Sequence, residues 1–404
     1  MNPRKGILLA ICALLTVALM VVNMRGLGAS GGGFYEGWVL PLLDLKRMVW
    51  FIPLVVTLYL AFAKRHHKGL MLGVGCFISV YAILFSTRSV NWSEFGESLR
   101  AFRLLWLLPA LATFYTSMYL RAVRWGLLFQ PHHDLKGYQV FRPLMICFAF
   151  NSILPGRVGE FVRAYVVGRE RKTGMPTALA TVVAERIFDG ITLLALLAIS
   201  LALTPPLDAG IRRQWGGIEL NVELLNKLAT GVMLGSVVLI VGVVVFLLPW
   251  TQRLIIHIIR RQPLTSDGLK GKLIGVLNQF ERGFHALQRP AVLARVVLHS
   301  IVIWMLVGLS NLTVAMGFGL PMSLLQSLAI VTLIGIFILP PAAPGYWGLY
   351  EAGAIFSLLA LGVTGDESLA LAFALMTHLV QYVPIVLIGL LFAWQAHVRP
   401  VSQE

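Results

Sequence analysis

FAFNSILPGRVGEFVR, residues 148–163, interrupts an apolar run with Pro155-Gly156 and then sets Arg157, Glu160 and Arg163 within eight positions. The apolar part before the break, Pro143 to Leu154, is flanked by basic residues on both sides: Arg121, Arg124, Lys136 and Arg142 before it, and Arg163, Arg169, Arg171 and Lys172 after it. Basic loops mark the cytoplasmic face of a membrane protein. Twelve residues of helix reach about 18 Å, against a hydrocarbon core of about 30 Å. The segment therefore enters, turns at Pro155-Gly156 and returns, as a re-entrant hairpin. Broken backbone at membrane depth is tolerated only where it is buried in protein or lines a wet cavity, so the break predicts a cavity.

The rest of the chain supports a membrane setting. Its 404 residues are 58% hydrophobic and 13% charged, with a mean hydropathy of +0.81, where a soluble chain carries about 25% charged residues. The net charge of +15 falls in short loops between apolar runs, as topology signals do, and is not read as nucleic-acid binding. Cys12, Cys76 and Cys147 all lie inside apolar runs and suggest neither disulfides nor metal ligation.

Apolar runs long enough to span start near Ile7, Met48, Leu70, Leu104, Thr177, Ala229, Val292 and Leu369. This predicts an all-α polytopic membrane protein of about eight transmembrane helices plus one or two re-entrant hairpins. The N-terminal stretch has a signal-peptide-like basic start, but is read as a retained first helix because its orientation fits the later loops. Both termini are then cytoplasmic, as expected of a protein in a bacterial inner membrane. Four segments are expected: N-terminal helices over 1–103, a first half of the core over 104–250, a connector over 251–291, and a second half over 292–404. Within the connector, Leu269, Leu273, Leu277, Phe280, Phe284 and Leu287 recur at helical spacing. They fit either an amphipathic helix on the inner surface or one packed on the bundle.

An echo of the opening stretch occurs at GIFILPPAAPGYWGLYEAG, residues 335–353. Ile-Leu-Pro recurs, Pro344-Gly345-x-x-Gly348 repeats Pro155-Gly156-x-x-Gly159, and Glu351 follows as Glu160 does. With no lysine or arginine between Gly317 and Val398, loop charge does not orient this part. Residues 321–363 form either a second hairpin or two full spans. A hairpin there makes the halves an inverted repeat, in which paired broken segments point to a midplane site.

Charges inside apolar runs are costly and mark function by default. Glu185, Arg186 and Asp189 fall in TVVAERIFDGITLL, where helical spacing puts them on one face. Two acids and one arginine leave one negative charge over, to be met by Arg157, by Arg163 or by a proton. His378 and Gln381 sit on the last span, about as far beyond Glu351 as Glu185 and Asp189 are beyond Glu160. The return limb of each hairpin begins with free backbone N–H groups and a partial positive charge. With flanking arginines it favours a phosphate, which in a membrane belongs to a lipid head group. The candidate binding residues are Asn151, Arg157, Glu160, Arg163, Glu185, Arg186, Asp189, Glu351 and His378. The hairpin-forming residues are Pro155, Gly156, Gly159, Pro344, Gly345 and Gly348.

The pattern N-x-x-x-P-G-R-x-G-E-x-x-R from Asn151, E-R-x-x-D from Glu185, and the late P-G-x-x-G-x-x-E from Pro344 resemble a flippase-like family. That family includes the membrane region of lysylphosphatidylglycerol synthases, and the likeness covers about residues 100–395. It implies a multi-helix domain that moves lipids or lipid-linked molecules between leaflets, with Asn151 through Asp189 as signature positions. His378 stands where the family often has an arginine. The soluble aminoacyl-transfer domain of the synthases is not expected here, nor is synthase activity. The expectation is thus a translocase, not an enzyme, with an anionic lipid as partner and no cofactor or metal. The alternatives are a membrane enzyme acting on lipid phosphates and a non-transporting scaffold; no G-x-x-x-x-G-K-[ST] loop occurs to make it an ATP-driven pump.

Overall fold

The computed structural model describes residues 78–154, 157–203, 285–339 and 343–398, a short ribbon at 213–215 and 218–220, and scattered positions between 227 and 275. The spans expected from Ile7 and Met48, the start of the one from Leu70, and most of the span from Ala229 and of the connector at 251–291 lie outside the described residues. The described helices are α1 (Ile78–Thr87), α2 (Trp92–Ala101), α3 (Leu107–Leu127), α4 (Gly137–Ile153), α5 (Gly159–Glu170), α6 (Met175–Leu203), α7 (Pro290–Phe318), α8 (Leu324–Phe337), α9 (Leu349–Ala360) and α10 (Glu367–Val398). Among them α6, α7 and α10 are long and apolar enough to cross a membrane, where spans were expected from Thr177, Val292 and Leu369. The protein is helical and membrane-integral. One feature departs from an all-α chain: β1 (Arg213–Trp215) pairs antiparallel with β2 (Ile218–Leu220), Trp215 facing Ile218. Trp215 is buried, with its ring edge-on to Phe85 at 4.8 Å, so an aromatic contact anchors the ribbon.

The chain forms two compact units. One holds residues up to Phe102, 206–224 and 333–378; the other holds 103–205, 225–332 and the chain from Leu379.

In the second of these units, α3 and α7 pack along their lengths. Arg103 N–H reaches Gly317 O at 3.0 Å and Ser310 Oγ donates to Ala110 O at 2.8 Å. Phe114, Met118, Met145, Val307, Val331 and Ile385 close one apolar cluster. Trp125, Leu128, Val140, Leu144, Ala164, Val167 and Val182 close another.

The opening stretch contributes to two helices packed on each other, α4 and α5. Helix α4 begins six residues before Pro143 and carries that proline inside it. Its 17 residues rise about 26 Å, still short of a 30 Å core. Helix α5 has 12 residues. Gly159 permits the close approach: a Cβ there would lie 2.0 Å from Cys147 O of α4.

Helix α8, divided between the two units at Leu333, has 14 residues, and α9, in the first unit, has 12. Each is too short to cross alone. They fold against each other, with Gly353 beside Ile334 and Phe337 and the Phe337 and Phe356 rings 5.3 Å apart.

Candidate functional site

The Glu185, Arg186 and Asp189 face of α6 meets arginines from two other helices. Arg163, on α5 four residues past Gly159, donates through Nη1 to Glu185 Oε2 at 2.8 Å. Arg124, on α3, spans both acids: Nη2 is 3.2 Å from Glu185 Oε1 and Nη1 2.8 Å from Asp189 Oδ1. Arg121, one turn earlier, contacts Asp189 Oδ2 at 3.3 Å. Arg186 folds back on its own helix, 3.1 Å from Glu185 Oε1 and 3.5 Å from Asp189 Oδ2, and lies 3.6 Å from Glu160 Oε1.

Neutral groups complete the cage. Ser300 Oγ accepts from Arg124 at 2.8 Å, and Trp304 Nε1 donates to Asp189 Oδ1 at 3.2 Å. Both project from α7. The Arg121 guanidinium lies 4.5 Å over the Trp304 ring, and that of Arg163 lies 4.8 Å over Trp125, where the aromatic quadrupole favours a cation.

This arrangement corrects the charge count taken from sequence. Arg121 and Arg124 read there as loop residues marking the cytoplasmic side. They are buried inside α3, and the signal was available: the apolar run resumes after them as Trp125-Gly126-Leu127-Leu128-Phe129. Four guanidinium groups therefore face three carboxylates, those of Glu160, Glu185 and Asp189. The surplus charge is positive, so no proton is needed to neutralise an extra acid. The cluster also has spare donors: Nε of Arg121, Arg124, Arg163 and Arg186 and Nη2 of Arg163 are buried without a hydrogen-bond partner. Buried polar groups in folded proteins are overwhelmingly satisfied, and an uncompensated buried cation costs several kcal/mol. Among the described residues, the cluster thus holds more guanidinium groups than carboxylates and N–H groups that its own acids do not use.

Asn151 and Arg157 serve the turn. Asn151 Oδ1 accepts from Gly159 N–H at 2.8 Å, satisfying one of the open donors at the start of α5. Arg157 is half-buried with φ 54°, a left-handed conformation that costs a non-glycine residue about 1–2 kcal/mol.

The second hairpin repeats this backbone with other side chains. Tyr346, the residue after Pro344-Gly345, has φ 60°, matching Arg157 after Pro155-Gly156, and Gly345 and Gly348 have φ 79° and 85°. Ala343 N–H donates to Ser79 Oγ at 2.9 Å, and a Cβ on Gly348 would sit 2.3 Å from Ser79 O, so this turn seats on α1. Glu351 Oε2 accepts from Gly348 N–H at 2.6 Å, and its Oε1 is hydrogen-bonded to His378 Nδ1 at 2.6 Å. The imidazole stacks on Tyr350 at 4.3 Å and lies 4.4 Å from Trp347. The sequence separation that relates Pro344 to Pro155 also relates His378 to Asp189. Gln381 donates to Asn311 Oδ1 at 3.1 Å, within the unit that holds the arginine cluster.

The fold and these broken-helix turns define a helical membrane protein with paired helical hairpins and a buried cationic cluster. Residues 72–389 match the family described as Lysylphosphatidylglycerol synthase TM region, and the chain belongs to that family. Relatives include a UPF0104 membrane protein of Methanothermobacter thermautotrophicus, 25% identical over 75% of this chain and 89% of the relative. Another, from Methanocaldococcus jannaschii, is 24% identical over 59% of this chain and 90% of the relative. The Glycosyltransferase AglD of Haloferax volcanii is 29% identical over 57% of this chain. That match spans only 39% of AglD's length. No solved structure matches the chain.

Proposed function

We propose that the protein is a lipid translocase. It binds the head group of an anionic phospholipid or lipid-linked phosphate at the arginine cluster and moves it between leaflets without making or breaking a covalent bond. The observation that carries this reading is the cluster's unmatched positive charge, placed beside a broken helix. A phosphate supplies the missing negative charge and accepts from several N–H groups at once, for which arginine geometry is suited. The two hairpins are re-entrant and the halves form an inverted repeat, a reading supported by helices too short to cross and by the matching left-handed residues after each Pro-Gly. Alternating exposure of a fixed site is the motion such repeats allow. The termini and the basic loops are cytoplasmic, and the membrane is the bacterial inner membrane.

One observation favours a second reading. The likeness to a protein named as a glycosyltransferase ties the lipid phosphate to sugar transfer, either as carrier or as substrate. A single experiment separates the two. Purified protein is reconstituted into liposomes holding labelled phosphatidylglycerol or labelled phosphatidylcholine, and both leaflet exchange and new products are followed. Faster exchange of the anionic lipid with no product supports the translocase. No exchange above protein-free liposomes defeats it, and product formed when sugar donor is added supports the second reading.

A further inference from the structure

The cluster is graded from an accessible edge to a sealed interior. Arg186 has 34% of its side chain exposed and Glu160 18%, whereas Asp189 has 6% and Glu185, Arg124 and Arg163 have none. The contacts follow the same gradient. The interior pairs Arg163–Glu185 and Arg124–Asp189 both close to 2.8 Å, while the edge pair Arg186–Glu160 stands at 3.6 Å, the longest in the cluster. At that separation Arg186 Nε makes no hydrogen bond. The edge pair is therefore the weakest link in the cage and its most accessible side.

From this we infer that Arg186 is the first contact of the incoming phosphate, and that Glu160 is the group the phosphate displaces. The inference rests on the reading of the cluster as the head-group site. The exchange needs no covalent step. The phosphate takes the place of the Glu160 carboxylate beside Arg186, Glu160 turns to the accessible side, and the phosphate oxygens then lie next to the unpartnered Nε and Nη2 of Arg163. Position supports the exchange: Glu160 is in the first turn of α5, next to Gly159, whose N–H is held by Asn151 and not by Glu160, so the carboxylate can turn away without breaking that bond. Chemistry supports it as well. A guanidinium binds carboxylate or phosphate through the same fork, so Glu160 acts as a resident substitute for the ligand. A phosphodiester, with one negative charge, replaces in the cage the one negative charge that Glu160 takes away.

The test compares variants in liposomes of phosphatidylcholine doped with increasing phosphatidylglycerol, reading the lipid fraction that gives half-maximal exchange. Glu160→Gln removes the competitor and lowers that fraction about two- to fivefold, the range for a partly exposed ion pair. Glu160→Asp, which keeps the charge but withdraws it from Arg186, shifts it the same way. Arg186→Ala raises it at least about tenfold, as loss of a charged hydrogen bond does, and Arg186→Lys recovers part of the loss. If both Glu160 variants weaken binding as Arg186→Ala does, while melting temperatures in detergent stay at the wild-type value, the pair is a positioning contact and the inference fails. Unchanged half-saturation in the Glu160 variants overturns it too. Absence of anionic-lipid exchange in the wild type defeats the translocase reading, and this inference with it.

Discussion

The two hairpins share a backbone and differ in nearly everything attached to it. Each has a left-handed residue directly after a Pro-Gly pair of the sequence, and a glycine that opens or precedes the returning helix. In the α4–α5 hairpin, the returning helix delivers Arg163 into a cage of ions. In the α8–α9 hairpin the same turn is closed by one carboxylate, Glu351, which holds both Gly348 N–H and His378 between two aromatic rings. The first cage has more positive charge than its acids neutralise, and donors to spare. The second has a hydrogen bond for each oxygen of its single acid. Backbone geometry can thus be duplicated while the chemistry diverges, because the turn needs only proline, glycine and a left-handed residue. The ligand-binding character comes from the helices packed around it.

The comparison breaks most readily at Glu185. Its carboxylate meets Arg124, Arg163 and Arg186 with no exposed surface, so Glu185→Ala leaves three guanidinium groups facing one another. Removing one partner of a buried ion pair costs about 3–5 kcal/mol. The expected result is severe loss of folded protein, read as thermal unfolding in detergent, with Glu185→Gln only slightly better. A wild-type melting temperature in Glu185→Gln would mean that the cage is not what holds the first hairpin in place.

The next effect tests what the hairpins share. Gly159→Ala drives a methyl group into Cys147 O, and Gly348→Ala drives one into Ser79 O at a positive φ. Overpacking costs about 1–3 kcal/mol, and more where backbone cannot move. Both variants should lose stability by similar amounts. If only Gly159→Ala did so, the shared closure of the two turns would be disproved.

A smaller effect is expected at the second hairpin's acid. Glu351→Gln keeps an acceptor for Gly348 N–H but weakens the contact with His378, at about 1 kcal/mol for a hydrogen bond exchanged rather than lost. Melting should drop modestly, and half-saturation by phosphatidylglycerol should stay at the wild-type value. A Glu351→Gln variant that weakened anion binding as strongly as Arg186→Ala would show the halves to be chemically equivalent, contrary to their side chains.

Smallest of all is Lys136→Ala, outside both hairpins. The Lys136–Asp134 pair is exposed on both sides at 2.8 Å, and Lys136 holds the Asp134 carboxyl below its ordinary range. That contribution is present above the unfolded carboxylate pKa and lost as pH falls through the folded one. Water and salt screen it so well that melting curves of Lys136→Ala and wild type should superimpose from neutral to acidic pH.

Sequence by itself determined the membrane setting, the position of both breaks and the three charges on one face of α6. Composition, Pro-Gly punctuation and the 3.6-residue period are local properties, and each needs only a few neighbours along the chain. The echo between Pro155 and Pro344 was legible for the same reason, as were the roles of Gly159 and Gly348 in tight turns. Only tertiary structure decided the sign of the site. Arg121 and Arg124 follow a long apolar run in a way that also suits a topology signal, and the apolar residues that resume at Trp125 mark them as helical without naming their partners. Their partners, Glu185 and Asp189, lie more than 60 residues away, and Ser300 and Trp304 further still. Charge balance in a buried cluster is a sum over groups brought together by packing. It changed from negative to positive once α3, α5, α6 and α7 were assembled around the same two acids.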